Sequence, residues 1–199
     1  TFLPGTQNWE EKGKKKVFRN YPSRGEFRTP ALFLACGHSA RPLYRLLGQE
    51  GVALEFKPFA VGVRMEHPAE VIDQIQFGPE AGHPVLGHAE YKLAYTWKEK
   101  NRGVYSFCMC PGGYVLNAAT HHGGVVTNGM SNSKRSGKFS NAAVVVSISE
   151  KDIPGGDVFK GMEFQNSLEQ AFARSVNKEN SSHCLPAMRM LDFIRNKPS

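Results

Sequence analysis

The sequence predicts an α+β chain, a mainly antiparallel sheet with flanking helices. Three observations carry that expectation. Short apolar-alternating runs recur between residues 91 and 148, separated by turns rich in glycine and asparagine, as in strands joined by tight connections. Three longer stretches, 42–51, 68–77 and 157–176, repeat apolar residues at helical spacing. No apolar run approaches the ~20 residues that a membrane-spanning helix needs.

Taken in order, residues 1–30 carry Pro4, Gly5, Gly13, Pro22, Gly25 and Pro30 among charges, which reads as an irregular lead-in. Ala31, Leu32, Phe33, Leu34 and Ala35 form a continuous apolar run. Such a run fits a strand buried on both faces, as in a parallel sheet. A turn at Gly37 follows, then a helix with Ser39 as N-cap, Pro42 in the first turn, Leu43, Leu46 and Leu47 on one face and Gly51 as the stop. Strand, glycine turn and helix aim backbone N–H groups at whatever lies above the strand end. An ordinary βα loop has the same form.

Strands are predicted at 52–56 and 59–66, broken by Lys57-Pro58. In the second, Ala60, Gly62, Arg64 and Glu66 share one face, and Phe59, Val61, Val63 and Met65 the other. Residues 68–77 read as a helix with Val71, Ile72 and Ile75 on one face, and residues 78–89 as a loop. Tyr91, Leu93, Tyr95 and Trp97 alternate as the inward face of the next strand. Further strands are expected at 104–110, 114–119, 125–127 and 142–148. The helix at 157–176 carries a stripe of Phe164, Leu168, Ala171, Phe172 and Val176, and a short helix is expected within 186–194.

At 199 residues, 40% hydrophobic and 22% charged, the chain reads as soluble and globular. Thr1 is not an initiator methionine, so a fragment is expected. The net charge of +7 permits anionic partners. Its excess lies in Lys12, Lys14, Lys15, Lys16, Arg19, Arg24 and Arg28, which reads as a solvated basic arm. A nucleic-acid patch needs interleaved aromatics, and Phe18, Tyr21 and Phe27 are the available ones. Four cysteines do not make a dense disulfide framework. A reducing soluble compartment follows as the expectation, cytoplasm or an organelle lumen or stroma, with no membrane partner. Cys108-Met109-Cys110 lacks the spacing of a zinc knuckle, and His121-His122 sit together in a turn, so no metal is expected.

The densest group of chemically capable residues spans 107–131. Gly112-Gly113 and Gly123-Gly124 each allow a positive φ or a close backbone approach, to a cofactor, a substrate or another segment. Cys108 and Cys110, two apart, share one face of a strand and are poorly placed to bond each other. They are packed thiols, or reactive ones if a cation depresses their pKa. Arg64 and Glu66 form a surface ion pair or, with His67, line a pocket. Asn117, Asn128, Ser131 and Asn141 suit turns, and would also suit hydrogen bonds to a flat heteroaromatic ligand. No Gly-x-Gly-x-x-Gly occurs, so the main phosphate-binding motif of a dinucleotide site is not in the chain.

Several stretches in one order resemble a known family: Gly-His-Ser-Ala-Arg at 37–41, Lys-Pro-Phe-Ala-Val-Gly-Val-Arg-Met-Glu-His-Pro at 57–68, Phe-Cys-Met-Cys-Pro-Gly-Gly at 107–113, Thr-Asn-Gly-Met-Ser at 127–131, Gly-Met-Glu-Phe-Gln at 161–165 and Pro-Ala-Met-Arg-Met-Leu-Asp-Phe at 186–193. The family is that of uncharacterised FAD-dependent dehydrogenases, NAD/FAD-utilizing flavoproteins, and the likeness runs from about residue 31 to the end. In it an α/β FAD/NAD(P)-binding domain is split by a long insert. The resemblance implies that residues 31–51 are the last strand, turn and helix at the edge of that domain. Residues 52–199 are then the inserted, substrate-side α+β domain, and 1–30 a divergent lead-in.

FAD is the implied cofactor, bound mainly by parts outside this chain, with Ala35, Cys36, Gly37, His38, Ser39 and Arg41 as the implied contacts here. Cys36 stands where threonine is usual in that turn, and Pro42 where aspartate is. The implied activity is that of an oxidoreductase passing hydride or electrons between flavin and a small molecule, with this fragment alone inactive. Candidate catalytic residues are Cys108, Cys110, Arg64 and His67, the last two as binders of an acidic substrate. Gly112, Gly113, Asn128 and Ser131 complete the implied pocket. Two other readings are a basic nucleic-acid-binding module and a thiol redox protein acting through Cys108 and Cys110.

Overall fold

The structure is a computed structural model of the chain, describing residues 10–12, 15–17, 30–119, 123–176 and 184–198. The side chains of the basic lead-in, and His121 and His122, lie outside the described residues. The chain divides into two units, Thr1–Ala40 and Arg41–Ser199.

In the first unit β1 (Glu10–Lys12) pairs antiparallel with β2 (Lys15–Val17). The apolar run 31–35 forms no strand, contrary to its sequence pattern, and Phe33 is 92% exposed. No strand among the described residues pairs with this run, the unit's sheet being β1 and β2 alone. Beyond it the chain turns at Gly37, whose φ is +71°.

The second unit is built on a four-stranded antiparallel sheet. Its strands are β3 (Phe59–Pro68), β4 (Ala94–Trp97), β5 (Arg102–Cys110) and β8 (Phe139–Ile148), in the order β3-β8-β5-β4. Between β5 and β8 in sequence, β6 (Gly113–Asn117) and β7 (Thr127–Ser131) make a separate antiparallel hairpin. The helices are α1 (Arg41–Gln49), α2 (Ala69–Phe77), α3 (Lys160–Ser175) and α4 (Met190–Ile194). A predominantly antiparallel α+β architecture is thus what the strand spacing implied.

Local chemistry accounts for most boundaries. Pro42 sits in the first turn of α1, where its missing N–H is not needed; the helix starts at Arg41, so Ser39 is not its cap. The chain leaves α1 through Gly51 at φ +76°. Residues 52–56 form no strand; Phe56 packs with Phe59 at 6.0 Å between ring centroids, and Phe59 with Phe164 of α3 at 6.3 Å. Gly161 lets α3 approach that cluster, since a Cβ there would lie 2.8 Å from the Phe56 ring. Arg41 of α1 donates to Glu169 of α3 at 2.9 Å, fixing the two helices together.

Two apolar faces, of which the sequence pattern turned the β4 one inward, are open to solvent. Tyr95 of β4 is 67% exposed, and Leu93 and Trp97 are exposed too; β4 is an edge strand. On α2, Val71 and Ile75 are exposed, and the buried side chains are Ala69 and Asp73. Asp73 accepts from the Ala89 N–H at 2.7 Å and from His88 Nδ1 at 2.8 Å, tying the 81–91 loop to α2. The core lies where the β6–β7 hairpin meets β5 and β8. Its largest fully buried side chains are polar, Asn141 and Ser140 of β8. Interiors ordinarily place aliphatic side chains there.

Candidate functional site

Arg64 organises this polar centre. It leaves β3 on the face shared with Asn141 of β8, because Glu66, two residues on, is the cross-strand partner of Asn141. Its Nη1 donates to Asn141 Oδ1 at 2.6 Å and to the Cys108 carbonyl at 3.2 Å, and its Nη2 to Asn128 Oδ1 at 3.3 Å. One side chain thereby joins β3, β5, β7 and β8. All three acceptors are neutral, and no carboxylate pairs with Arg64 among the described residues. The ion pair with Glu66 that the alternation allowed is therefore not formed.

The Cys108 carbonyl reaches Arg64 because β5 is bulged. Phe107 pairs with Ala143 and Cys110 with Asn141, so three steps on β5 match two on β8. Cys108 takes φ +48°, a conformation that non-glycine residues seldom adopt. The bulge separates the two cysteines that simple alternation put on one face: Cys108 is exposed and Cys110 buried. The Cys110 thiol points back at the Cys108 carbonyl at 3.5 Å. Burial pushes its pKa up, the neighbouring Cys108 adds to the rise, and Arg64 opposes it. A raised pKa makes Cys110 a poor nucleophile, against the thiol redox reading. Iodoacetamide at pH 8 is accordingly expected to modify Cys36, Cys108 and Cys184, all exposed, with Cys110 reacting at least about tenfold more slowly until denaturant is added. Equal rates for Cys108 and Cys110, read by peptide mass spectrometry, would contradict this packing.

His67 is half-buried at the end of β3 and meets Tyr91, a residue absent from the sequence-derived candidates. The Tyr91 hydroxyl lies 3.0 Å from His67 Nε2, and His67 Nδ1 lies 3.3 Å from the Pro68 carbonyl. A carbonyl only accepts, so Nδ1 carries the proton in the neutral ring and Nε2 accepts from the phenol. Burial raises the Tyr91 pKa, and the Arg64 charge partly offsets that rise.

The paired glycines of the β5–β6 turn approach this chain itself. Gly112, at φ +52°, has the Arg135 carbonyl where a Cβ would stand, and its N–H donates to Ser140 Oγ at 3.0 Å. A Cβ on Gly113 would lie 2.6 Å from the Met130 carbonyl. Ser131 Oγ donates to the Pro111 carbonyl at 2.8 Å. Gly112 and Gly113 are thus buried against this chain's own backbone, whereas Arg64, His67 and Tyr91 are half-buried and Asn128 is exposed. Gly129 of β7 is the close approach that matters most: a Cβ there would collide with Asn141 Oδ1 and Arg64 Nη1 and lie 2.8 Å from Cys110 Sγ.

The turn implied to touch FAD is exposed from Ala35 to Ser39, and the Gly37 carbonyl accepts from the Ala40 N–H at 3.5 Å. Arg41 is otherwise engaged, with Glu169 and, at 3.4 Å, Asn166. The residues present fit at most a peripheral flavin contact, since the phosphate-cradling glycine motif is not in the sequence. Among the described residues no three His, Cys, Asp or Glu side chains are grouped to hold a metal ion, and no helix is long and apolar enough to cross a membrane.

An uncharacterized protein of Clostridium beijerinckii is 42% identical over 169 residues, covering 85% of this chain. The chain spans 31% of that relative's length. Residues 58–199, more than half of the chain and all of the Arg64 cluster, match the family described as "FAD-dependent protein, C-terminal domain-like". The chain belongs to this family of FAD-dependent proteins.

Proposed function

We propose that the protein is part of an FAD-dependent oxidoreductase, a dehydrogenase, and that residues 52–199 form the substrate-side wall of its active site. The observation that carries this reading is the polar centre of the domain. Within the region that matches a family of FAD-dependent proteins, a guanidinium is held by neutral acceptors beside a bulged strand and a Tyr91–His67 hydrogen bond. Bulges and unusual backbone conformations of this kind cluster at functional sites. FAD, when bound, supplies the electron or hydride acceptor. This chain's residues bind and orient the substrate: Arg64 attracts an acidic group, Asn128 and the Cys108 bulge shape the surface, and His67 and Tyr91 hold a transferable proton.

The test is a structure of the intact protein loaded with FAD. The flavin ring is expected within contact distance, about 4 Å, of the 107–131 segment. A ring remote from both Cys108 and Gly112 overturns the wall assignment. The oxidoreductase half is read separately, as anaerobic bleaching of the bound flavin by a panel of small hydroxy, amino and thiol compounds. No bleaching across the panel counts against it.

A further inference from the structure

Arg64 combines three properties that a purely structural arginine does not need together. Among the described residues its charge is met by the neutral oxygens of Cys108, Asn128 and Asn141 and by no carboxylate. Two donors behind those contacts, Arg64 Nε and Asn141 Nδ2, are buried without an acceptor, and Asn141 itself is 0% exposed. An orphaned buried donor is costly, and two beside one cation call for an acceptor group. The approach is open, because Asn128 and Cys108 are both exposed. Glu66 is the nearest acidic residue in register and does not pair with Arg64.

We infer that Arg64, Asn128 and Asn141 form a receptor for one carboxylate of a small acidic molecule. The inference rests on the reading of this face as a substrate wall and supplies the substrate's recognition group. A carboxylate is planar and matches a guanidinium two oxygens at a time. One cation among neutral groups balances a monoanion. A phosphate monoester carries about −1.5 to −2 near pH 7 and would be left with excess charge. Tyr91 and Cys110, the titratable neighbours that feel Arg64, stay protonated and add no competing anion. The incoming oxygens displace the Asn128 amide from Nη2, the longest of the three contacts.

The experiment is a titration of the full ¹⁵N-labelled 199-residue chain, following the Arg64 Nε–H and Asn141 side-chain signals by NMR at constant ionic strength. The probes are acetate, malonate, inorganic phosphate and ADP. Saturable shifts with the carboxylates are expected, at roughly millimolar Kd, with phosphate and ADP weaker. Asn128→Asp keeps an acceptor for Arg64 and for the Gly129 N–H, so the fold survives, but it places an internal carboxylate on the cation. It is expected to weaken acetate binding at least tenfold. Arg64→Lys retains charge without the planar fork and is expected to weaken it severalfold.

Wild-type affinity in Asn128→Asp overturns the inference, as do unmoved Arg64 signals. Tighter binding of phosphate or ADP than of carboxylates at these signals overturns the carboxylate assignment and points to the flavin nucleotide's own phosphates. None of these readouts needs flavin chemistry. Carboxylate binding that persists in a protein showing no flavin reduction therefore sinks the proposed oxidoreductase and leaves the receptor standing.

Discussion

Gly129→Ala is expected to lower the stability of the chain by about 3 kcal/mol or more, the cost of overpacking added to that of a lost charge-assisted hydrogen bond. Gly129 is opposite Val115 in the β6–β7 ladder, so β7 cannot shift alone. The added methyl would meet Asn141 Oδ1 and Arg64 Nη1 and approach Cys110 Sγ to 2.8 Å. Asn141 belongs to β8, which is paired on both edges, with β3 and with β5. It has no room to retreat, so the Arg64–Asn141 bond is the part that breaks. Gly129 does not use a positive φ, which makes the substitution a probe of packing and not of backbone strain. Gly103→Ala in β5 is the control: its Cβ would meet only Ser147 Oγ, at 3.5 Å, and about 0.5 kcal/mol or less is expected. Urea unfolding of both variants reads the difference. A Gly129→Ala midpoint equal to that of Gly103→Ala would show that β7 does not press on Arg64.

That prediction concerns contacts the sequence could not display. Local signals were legible where the chain itself satisfies them. Pro42 with Leu43, Leu46 and Leu47 marks α1, and the alternation from Phe59 onward marks β3. The resemblance carried the flavoprotein family, and residues 58–199 match it. Burial was less legible because it depends on partners. The 31–35 run needs sheet neighbours, and Tyr95 and Ile75 stay exposed although their periodicity is apolar. Periodicity states which face would gain from cover and does not supply the cover.

The site was half visible. Arg64, His67, Asn128 and the cysteines stand out by residue type. Tyr91 reads as one more inward ring of an alternating strand, and Asn141 as a turn former or a ligand contact, not as the partner of Arg64. Their roles come from Nε2 of His67 and Nη1 of Arg64, reached from 24 and 77 residues away. The β5 bulge had no local signature either. An extra residue in Cys-Met-Cys becomes apparent only against β8, where Cys110 and not Met109 pairs with Asn141. Gly112 was singled out correctly for a close approach, but its partner is the Arg135 carbonyl of this chain.

Arg64→Met should cost about 3 kcal/mol, and Asn141→Leu added to it should recover part of that loss. The single change leaves the Asn141 amide fully buried with no partner at either end, and strips the Cys108 carbonyl and Asn128 of a donor. A buried amide stranded in this way loses roughly 1–3 kcal/mol, and hydrogen bonds to charged groups add to that. Removing the amide as well removes the stranded group, because replacing both partners of a buried polar pair is far less costly than replacing one. The double-mutant cycle is therefore expected to give a coupling of about 2 kcal/mol. A coupling near zero would mean that the 2.6 Å bond between Arg64 and Asn141 contributes nothing to the fold. The double variant also separates stability from recognition. If it regains stability yet binds no acetate, Arg64 is kept in the interior for its charge, since an apolar pair serves the fold nearly as well. If it regains stability and still binds acetate, the anion sits elsewhere and Arg64 is a strut.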